Sequence, residues 1–122
     1  DLDYIGHIEQ DDAVWVTVRR RRPLLIDSPT SKSARLIERA GFDAIWASGF
    51  AISASLKCIP DASFIDSSEQ LAVERNIAEA VSIPIIADCD TGYGNALNVM
   101  RAVNDRERAG IAAVTVRRTP RL

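Results

Sequence analysis

The sequence predicts an α/β fold, a partial (β/α)₈ TIM barrel with about four parallel strand-helix units in residues 23–122. Short apolar runs alternate with amphipathic stretches from residue 23 onward, and this order is typical of a parallel sheet covered by helices. A complete barrel has eight such units in about 250 residues, so four units make half of one. Residues 1–22 are less readable, although Ala13–Val18 alternates enough for one more strand.

The first unit begins with the apolar run Leu24–Ile26, which we interpret as a buried strand. Ser31 or Ser33 can cap the helix that follows, because a serine hydroxyl accepts a hydrogen bond from an unpaired N–H of the first turn. Gly41 is placed to end this helix in a left-handed conformation. The apolar positions of the predicted helix are Ala34, Leu36, Ile37 and Ala40.

The second unit has a strand at Asp43–Ser48, and its following segment Ile52–Ser68 is rich in serine and contains Pro60. Such a composition predicts an irregular loop with at most one short turn of helix. A helix is then predicted over Glu69–Val81 from its apolar spacing. Its inward-facing residues are expected to be Leu71, Ala72, Ile77 and Val81.

The third and fourth units follow the same order. Pro84 opens a strand that ends at Asp88, the helix Ala96–Ala109 ends at Gly110, and Ile111–Val116 is the fourth strand. Four strands leave one sheet edge bare and one face uncovered, which favours pairing with another chain. A homo-oligomer, or a missing remainder of the barrel, is therefore expected.

Composition narrows the class of protein. The 122 residues carry 15 Lys+Arg against 17 Asp+Glu, a formal net charge of -2, so no overall field attracts nucleic acid or an anionic membrane. The run Arg19–Arg22 is more typical of a solvated face than of a binding site. Cys58 and Cys89 lack C-x-x-C spacing, and nothing in the sequence resembles a secretory h-region. We expect a cytoplasmic protein without nucleic-acid or membrane partners.

The segment D-C-D-T-G-Y-G-N at residues 88–95 carries the strongest chemical signal. Asp88 and Asp90 are two residues apart, so they share one face at the carboxyl end of a strand, where barrels place their catalytic groups. Two close carboxylates repel each other unless a cation or an arginine neutralises them, and hard oxygen ligands of this kind suit Mg²⁺ or Mn²⁺. The alternative is an Asp pair that caps a turn. The two glycines after it let the backbone turn beside a ligand.

The second strand ends in a similar way. Trp46 and Ser48 share one face, and the backbone amides of Gly49 and Phe50 can form a small nest for an anion. Trp46 either flanks a substrate or fills the rim of the core. Asp61, in the loop that follows, is either a catalytic carboxylate or a solvated turn residue.

Three motifs together carry a resemblance to a known family. They are A-G-F-D-A-I-W-A-S-G-F-A-I-S-A-S at residues 40–55, P-D-A-S at residues 60–63 and D-C-D-T-G-Y-G-N at residues 88–95. In this order they resemble the phosphoenolpyruvate mutase/isocitrate lyase superfamily, in particular its phosphoenolpyruvate mutase and phosphonopyruvate hydrolase branch. The similarity runs from about Ser33 to Ala113 and covers only the N-terminal half of such enzymes.

The resemblance implies a Mg²⁺-dependent isomerase or lyase of phosphonate metabolism. Its substrate would be a small anionic 2-oxo acid such as phosphonopyruvate, with a C–P or C–C bond cleaved or rearranged through an enolate-like species. It implies that Asp88 binds the metal directly, that Asp90 binds it mainly through water and that Asp61 is catalytic. The implied substrate-binding residues are Trp46, Ser48, Gly49 and Phe50.

One departure from the family pattern concerns Arg117. The family has a glutamate where this sequence has Arg117, and a guanidinium there would pair with Asp88 or Asp90 and compete with the cation. The alternative function is accordingly a catalytically incomplete remnant that acts as a self-association or subunit-pairing module.

Overall fold

The computed structural model describes residues 25–117. The predicted strand Ala13–Val18, the arginine run Arg19–Arg22 and Leu24 lie outside these residues. No helix within residues 25–117 is long and apolar enough to cross a membrane. The elements in chain order are β1 (Leu25–Asp27), α1 (Ser31–Arg39), β2 (Ala44–Ala47), α2 (Gly49–Lys57), α3 (Ser67–Ala80), β3 (Ile85–Asp88), α4 (Ala96–Arg108) and β4 (Ala113–Thr115).

The four strands form one parallel sheet in the order β1-β2-β3-β4. Each crossover therefore steps in the same direction, and because such crossovers are right-handed the helices collect on one face of the sheet. A doubly wound sheet would instead reverse its strand order at a switch point. The predicted α/β fold, half of a (β/α)₈ barrel, is confirmed.

The apolar core lies between the sheet and the helices. β2 and β3 are the central strands, and their helix-facing side chains are buried. Ile52 of α2 and Ile77 of α3 have no exposed surface and pack against them. The sheet residues of this core are Ile45, Ala47, Ile85 and Ala87.

The first strand is exposed, contrary to the sequence prediction. Leu25 and Ile26 retain 40% and 41% of their accessible surface. β1 lies at the edge of the described sheet and pairs with β2 alone within residues 25–117. An edge strand has a neighbour on one side, so an apolar run is not enough to bury it.

Side-chain caps set the starts of the helices. The Thr30 hydroxyl accepts a hydrogen bond from the Ser33 N–H at 3.2 Å, so Thr30 caps α1, not Ser31 or Ser33 as expected. Gly41 has a φ of 84° and donates its N–H to the Glu38 carbonyl at 3.0 Å. The predicted end of α1 at Gly41 is thereby confirmed, because this conformation favours glycine.

Helix α2 differs from the loop that its sequence predicts. The prediction of an irregular Ile52–Ser68 is wrong for its first part, since α2 extends to Lys57. Ser48 caps this helix by accepting from the Ala51 N–H at 3.5 Å. Serines weaken helix propensity on average, but here the buried side chains of Ile52 and Ser53 dock α2 into the fold.

Apolar spacing also misassigned parts of the helix faces. Leu36 is 58% exposed and Ala40 and Ala72 lie at the surface, whereas Gln70 and Glu74 of α3 are buried. The inward face of α3 combines apolar with polar side chains, so hydrophobic periodicity alone could not locate it.

Candidate active site at the strand ends

Three carboxylates converge where the parallel strands end. Asp88 ends β3, Asp90 follows in the next turn, and Asp61 comes from the loop after α2. Gly49 shows how close they are, because a Cβ built on it would lie 3.1 Å from Asp61 Oδ1 and 3.5 Å from Asp88 Oδ2. We call Asp61, Asp88 and Asp90 the carboxylate cluster.

Gly49 and Phe50 form the first turn of α2 at this cluster. The expected nest in a loop is therefore a helix N-terminus, whose first N–H groups have no intrahelical acceptor and favour negative charge. Gly49 is buried and Phe50 is 62% exposed. A side chain at position 49 would press against Asp61, so glycine permits the close approach of the helix to the carboxylates.

Ser48 and Trp46 approach the same region from β2. Ser48 is 6% exposed and its oxygen accepts a long 3.5 Å bond from Ala51, which leaves the hydroxyl hydrogen able to donate elsewhere. Trp46 is half-buried and pairs in register with Ile86 of β3, on the sheet face opposite the helix-packed core. The structure thus places both predicted substrate-binding side chains near the carboxyl end of β2.

The Asp90 backbone places its carboxylate. Asp90 has a φ of 48°, and its N–H donates to Asp88 Oδ1 at 3.0 Å. The chain therefore leaves the extended conformation at Asp90, and the shared face expected from strand alternation is replaced by a tight turn. Ser63 donates its hydroxyl to Asp90 Oδ2, which ties the loop after α2 to this turn.

Arg117 provides positive charge to the cluster. Its Nη2 atom lies 2.8 Å from Asp90 Oδ1 and 3.3 Å from Asp61 Oδ2. The negative charges of Asp88 and then Asp90 raise the pKa of the Arg117 guanidinium. The pairing that the sequence suggested is confirmed for Asp90, and Asp61 is its second partner.

The chemistry of the carboxylates suits a hard divalent cation. Mg²⁺ commonly binds proteins through one or two carboxylates and fills its remaining positions with water or substrate oxygens. Asp88 and Asp90 supply such a pair, and the cation already on Asp90 is the Arg117 guanidinium. Within residues 25–117, no group of three or more His, Cys, Asp or Glu side chains is arranged to hold one metal ion.

A network of polar side chains, most of them buried, holds the strand end that carries Asp88. Gln70 of α3 donates its amide N–H to the Asp88 carbonyl oxygen and to Glu74 Oε1, the latter at 3.0 Å. Tyr93 donates its hydroxyl to Gln70 Oε1 at 3.0 Å. The strand end that carries Asp88 is thereby bonded to α3 and to Tyr93, which lies between Gly92 and Gly94 in what we call the glycine-rich turn. The network comprises the buried Gln70, Glu74 and Arg106 and the partly buried Ser67 and Tyr93.

Arg106 of α4 closes this network. Its Nε lies 2.9 Å from Glu74 Oε2, and both side chains have no exposed surface. Its Nη2 donates to the Tyr93 hydroxyl at 3.2 Å and its Nη1 to the Ser67 hydroxyl at 3.2 Å. The guanidinium carbon also lies 5.3 Å from the centre of the Tyr93 ring, a distance at which a cation is attracted to the aromatic face.

Burial makes this network sensitive to any imbalance of charge. Burial raises the pKa of Glu74, and the Arg106 charge opposes that rise. The Nε and Oε2 atoms, although close, make no well-aligned hydrogen bond to any described residue. Removing one charge from a buried pair leaves the other unpaired in a medium of low dielectric constant, which is more costly than removing both.

Sequence reasoning did not identify these buried polar residues. Gln70 and Glu74 stand four residues apart on α3, a spacing that places them on one face of a helix. This four-residue spacing is the feature of the sequence that could have indicated a shared polar face. Arg106 stands among the charged residues of α4, where nothing in the sequence separates a buried arginine from a solvated one.

The comparisons with known proteins agree with this architecture. A family model described as phosphoenolpyruvate phosphomutase matches residues 22–117. The chain is 51% identical over 83 residues to the phosphonopyruvate hydrolase of Variovorax sp. (strain Pal2), an alignment that covers 68% of this chain and 28% of that protein. It is 45% identical over 82 residues to the 2,3-dimethylmalate lyase of Eubacterium barkeri, covering 67% of this chain and 28% of the lyase.

A solved structure gives the same result in three dimensions. The crystal structure of a phosphonopyruvate hydrolase in complex with oxalate and Mg²⁺ superposes with a TM-score of 0.73 at 46% sequence identity. The superposition covers 75% of this chain and 32% of that one. The chain thus spans about a third or less of the length of these relatives.

Changing one member of the buried ion pair is expected to destabilise the fold more than changing both. Arg106→Met leaves Glu74 buried and unpaired, and we expect it to lower the free energy of unfolding by about 3 kcal/mol or more. The double variant with Glu74→Leu restores charge balance, and should recover part of this loss. Urea unfolding followed by circular dichroism measures both. A double variant less stable than Arg106→Met would contradict the account.

Stability is expected to fall at alkaline pH because of Cys89. Burial raises the pKa of the Cys89 thiol to about 12, so the folded chain keeps a proton that the unfolded chain loses above its ordinary thiol pKa. The stabilisation is complete below about pH 9 and is lost as the pH rises towards 12. Cys89→Ala removes this titrating group. The free energy of unfolding of the variant should therefore fall less steeply as the pH rises, by up to about 1.4 kcal/mol per pH unit. Equal slopes in urea titrations at pH 9 to 11 would disprove this.

Proposed function

The chain belongs to the phosphoenolpyruvate phosphomutase family, and from this premise we propose that it forms part of a Mg²⁺-dependent enzyme for small anionic 2-oxo acids such as phosphonopyruvate. The proposed reaction cleaves or rearranges a C–P or C–C bond through an enolate-like species. The observation that carries the proposal is the carboxylate cluster, which meets the N-terminus of α2 at Gly49. A cation held by the carboxylates can bind one end of a small anion, and the N–H groups of the helix can bind its other end.

Substrate binding is assigned to the end of β2 and the start of α2. The Ser48 hydroxyl and the N–H groups of Gly49 and Phe50 can donate to a carboxylate or an enolate oxygen, as helix N-termini do for anions. Donors fixed in advance at the site of developing charge lower the barrier for reactions that form an oxyanion. Trp46 would limit the size of the substrate from the sheet face.

The metal is assigned to Asp88 and Asp90. Asp88 is 9% exposed and directs Oδ2 towards Gly49, so it suits a direct ligand, whereas Asp90 suits contact through water. When bound, Mg²⁺ supplies positive charge that stabilises an enolate oxygen. The solved relative in complex with oxalate and Mg²⁺ supports this assignment.

Asp61 is assigned the role of a proton-transferring group. It is half-buried, lies at the N-terminus of α2 and contacts Arg117. Its carboxylate lies beside Asp88 and the first turn of α2, where the proposed substrate would bind. Asp61 therefore fits a proton-transferring group near the reacting atoms better than a solvated turn residue.

The assembled enzyme extends beyond this segment in the proposal. The chain spans 28% of the hydrolase and lyase relatives, so the remaining barrel strands and the outcome of the reaction belong to the complete protein. We place that protein in the cytoplasm, where the free thiols of Cys58 and Cys89 would stay reduced. A homo-oligomer is part of the proposal because β1 presents an exposed apolar edge.

Calorimetry with oxalate as the probe tests the proposed site. We expect oxalate to bind the folded chain in the presence of Mg²⁺, and Asp88→Asn to weaken this binding at least about tenfold, as expected when a carboxylate holds the metal. Asp105→Asn is the matched control, because Asp105 pairs with Arg101 on the outside of α4. Binding that does not depend on Mg²⁺, or equal loss in both variants, would contradict the proposal.

A second candidate function is a self-association or subunit-pairing module. Leu97 and Met100, three residues apart on α4, are 72% and 61% exposed. The edge of β1 that no strand within residues 25–117 covers adds apolar surface that could pair with another chain. Sedimentation velocity should then show a concentration-dependent dimer that Leu97→Glu weakens. A monomer at all concentrations would remove this candidate.

A further inference from the structure

We propose that Arg117 is a tethered cation that competes with Mg²⁺ for the carboxylate cluster, so that the metal binds only when the guanidinium moves away. The inference rests on the proposed function, because it takes Asp88 and Asp90 as the metal-binding residues. It assigns Arg117 a role in setting the metal affinity of the site.

The contacts of Arg117 occupy carboxylate oxygens beside the proposed direct ligand, Asp88. Asp90 Oδ1 lies 2.8 Å from the guanidinium, and Asp90 Oδ2 accepts from Ser63. Both oxygens of this carboxylate are therefore engaged. Asp61 Oδ2, 3.3 Å from the same nitrogen, is the second carboxylate that Arg117 holds. A cation at Asp90 would therefore compete with the Arg117 guanidinium for the same carboxylate, because two positive charges close together repel each other.

The backbone of Arg117 acts as the tether. Its N–H donates to the Asp90 carbonyl oxygen, and the preceding Thr115 carbonyl accepts from the Cys89 N–H at 2.9 Å. These bonds fix the start of the side chain beside the turn that carries Asp90. The guanidinium can therefore leave the carboxylates by side-chain rotation while the backbone stays in place.

The ion pair is weak enough to be displaced. Arg117 has a 54% exposed side chain, and a single nitrogen, Nη2, contacts both carboxylates. A guanidinium that binds one carboxylate with two parallel bonds would be held more firmly, and exposed ion pairs contribute little to stability. Arg117 can thus neutralise the cluster when metal is scarce and yield to a divalent ion at higher concentration.

Titration of Mg²⁺ alone, followed by calorimetry, tests this competition in the full chain. Arg117→Gln removes the charge and keeps a polar, though shorter, side chain. We expect it to bind Mg²⁺ about tenfold more tightly, the change that one positive charge about 6 Å from a divalent ion produces in water. Arg117→Lys keeps the charge and should bind Mg²⁺ with the affinity of the unmodified chain.

Arg101→Ala is the control for net charge, because it also removes one exposed arginine, from the Asp105 ion pair of α4. Its Mg²⁺ affinity should equal that of the unmodified chain. Equal affinities of the unmodified chain and Arg117→Gln would overturn the competition and leave the proposed metal site standing. If Arg101→Ala increased the Mg²⁺ affinity as much as Arg117→Gln, the increase would be a general effect of net charge, and the competition would be overturned. No binding by any variant would remove the metal site itself, and with it the inference.

Discussion

Mutual repulsion among Asp61, Asp88 and Asp90 is the constraint on which the rest of the site depends. Three like charges gathered at one end of a sheet raise the free energy of the fold unless positive charge meets them. The structure supplies that charge twice, through the N-terminus of α2 at Gly49 and through the guanidinium of Arg117. An anionic substrate would use the N-terminus of α2, and a divalent cation would displace the guanidinium of Arg117. The proposed chemistry therefore follows from how the fold balances its own charges.

The position of the cluster is fixed from the opposite side by buried polar contacts. Gln70 bonds the Asp88 carbonyl oxygen, and the ion pair of Glu74 with Arg106 joins α3 to α4 beneath the turn. A buried ion pair adds little net stability compared with apolar packing. Here the ion pair fixes positions, because Arg106 also donates a hydrogen bond to Tyr93 of the glycine-rich turn. The arrangement couples two helices and one strand end, so that the carboxylates keep their spacing.

The sequence predicted the fold class and placed Asp88 and Asp90 at the end of the third strand, but not the tight turn at Asp90 or the approach of Asp61. Alternation of apolar runs located four strands, and the carboxyl end of the third strand located Asp88 and Asp90, because parallel strands end at a common edge. Prediction was wrong where tertiary contacts override local propensity. The serine-rich stretch that forms α2 was expected to be a loop, and the edge position of β1 exposes Leu25. Burial of Arg106 depends on partners from α3, which a single-chain pattern cannot reveal.

The central claim is that Arg117 and Mg²⁺ share one cation site on the carboxylate cluster. Nuclear magnetic resonance of the arginine Nε–Hε groups during a Mg²⁺ titration tests it most directly. We expect the Arg117 signal to move in a saturable way towards that of a solvated arginine as the metal binds, while the Arg101 signal, from a surface ion pair, stays in place. An Arg117 signal that remains unchanged while Mg²⁺ saturates the protein would contradict the account.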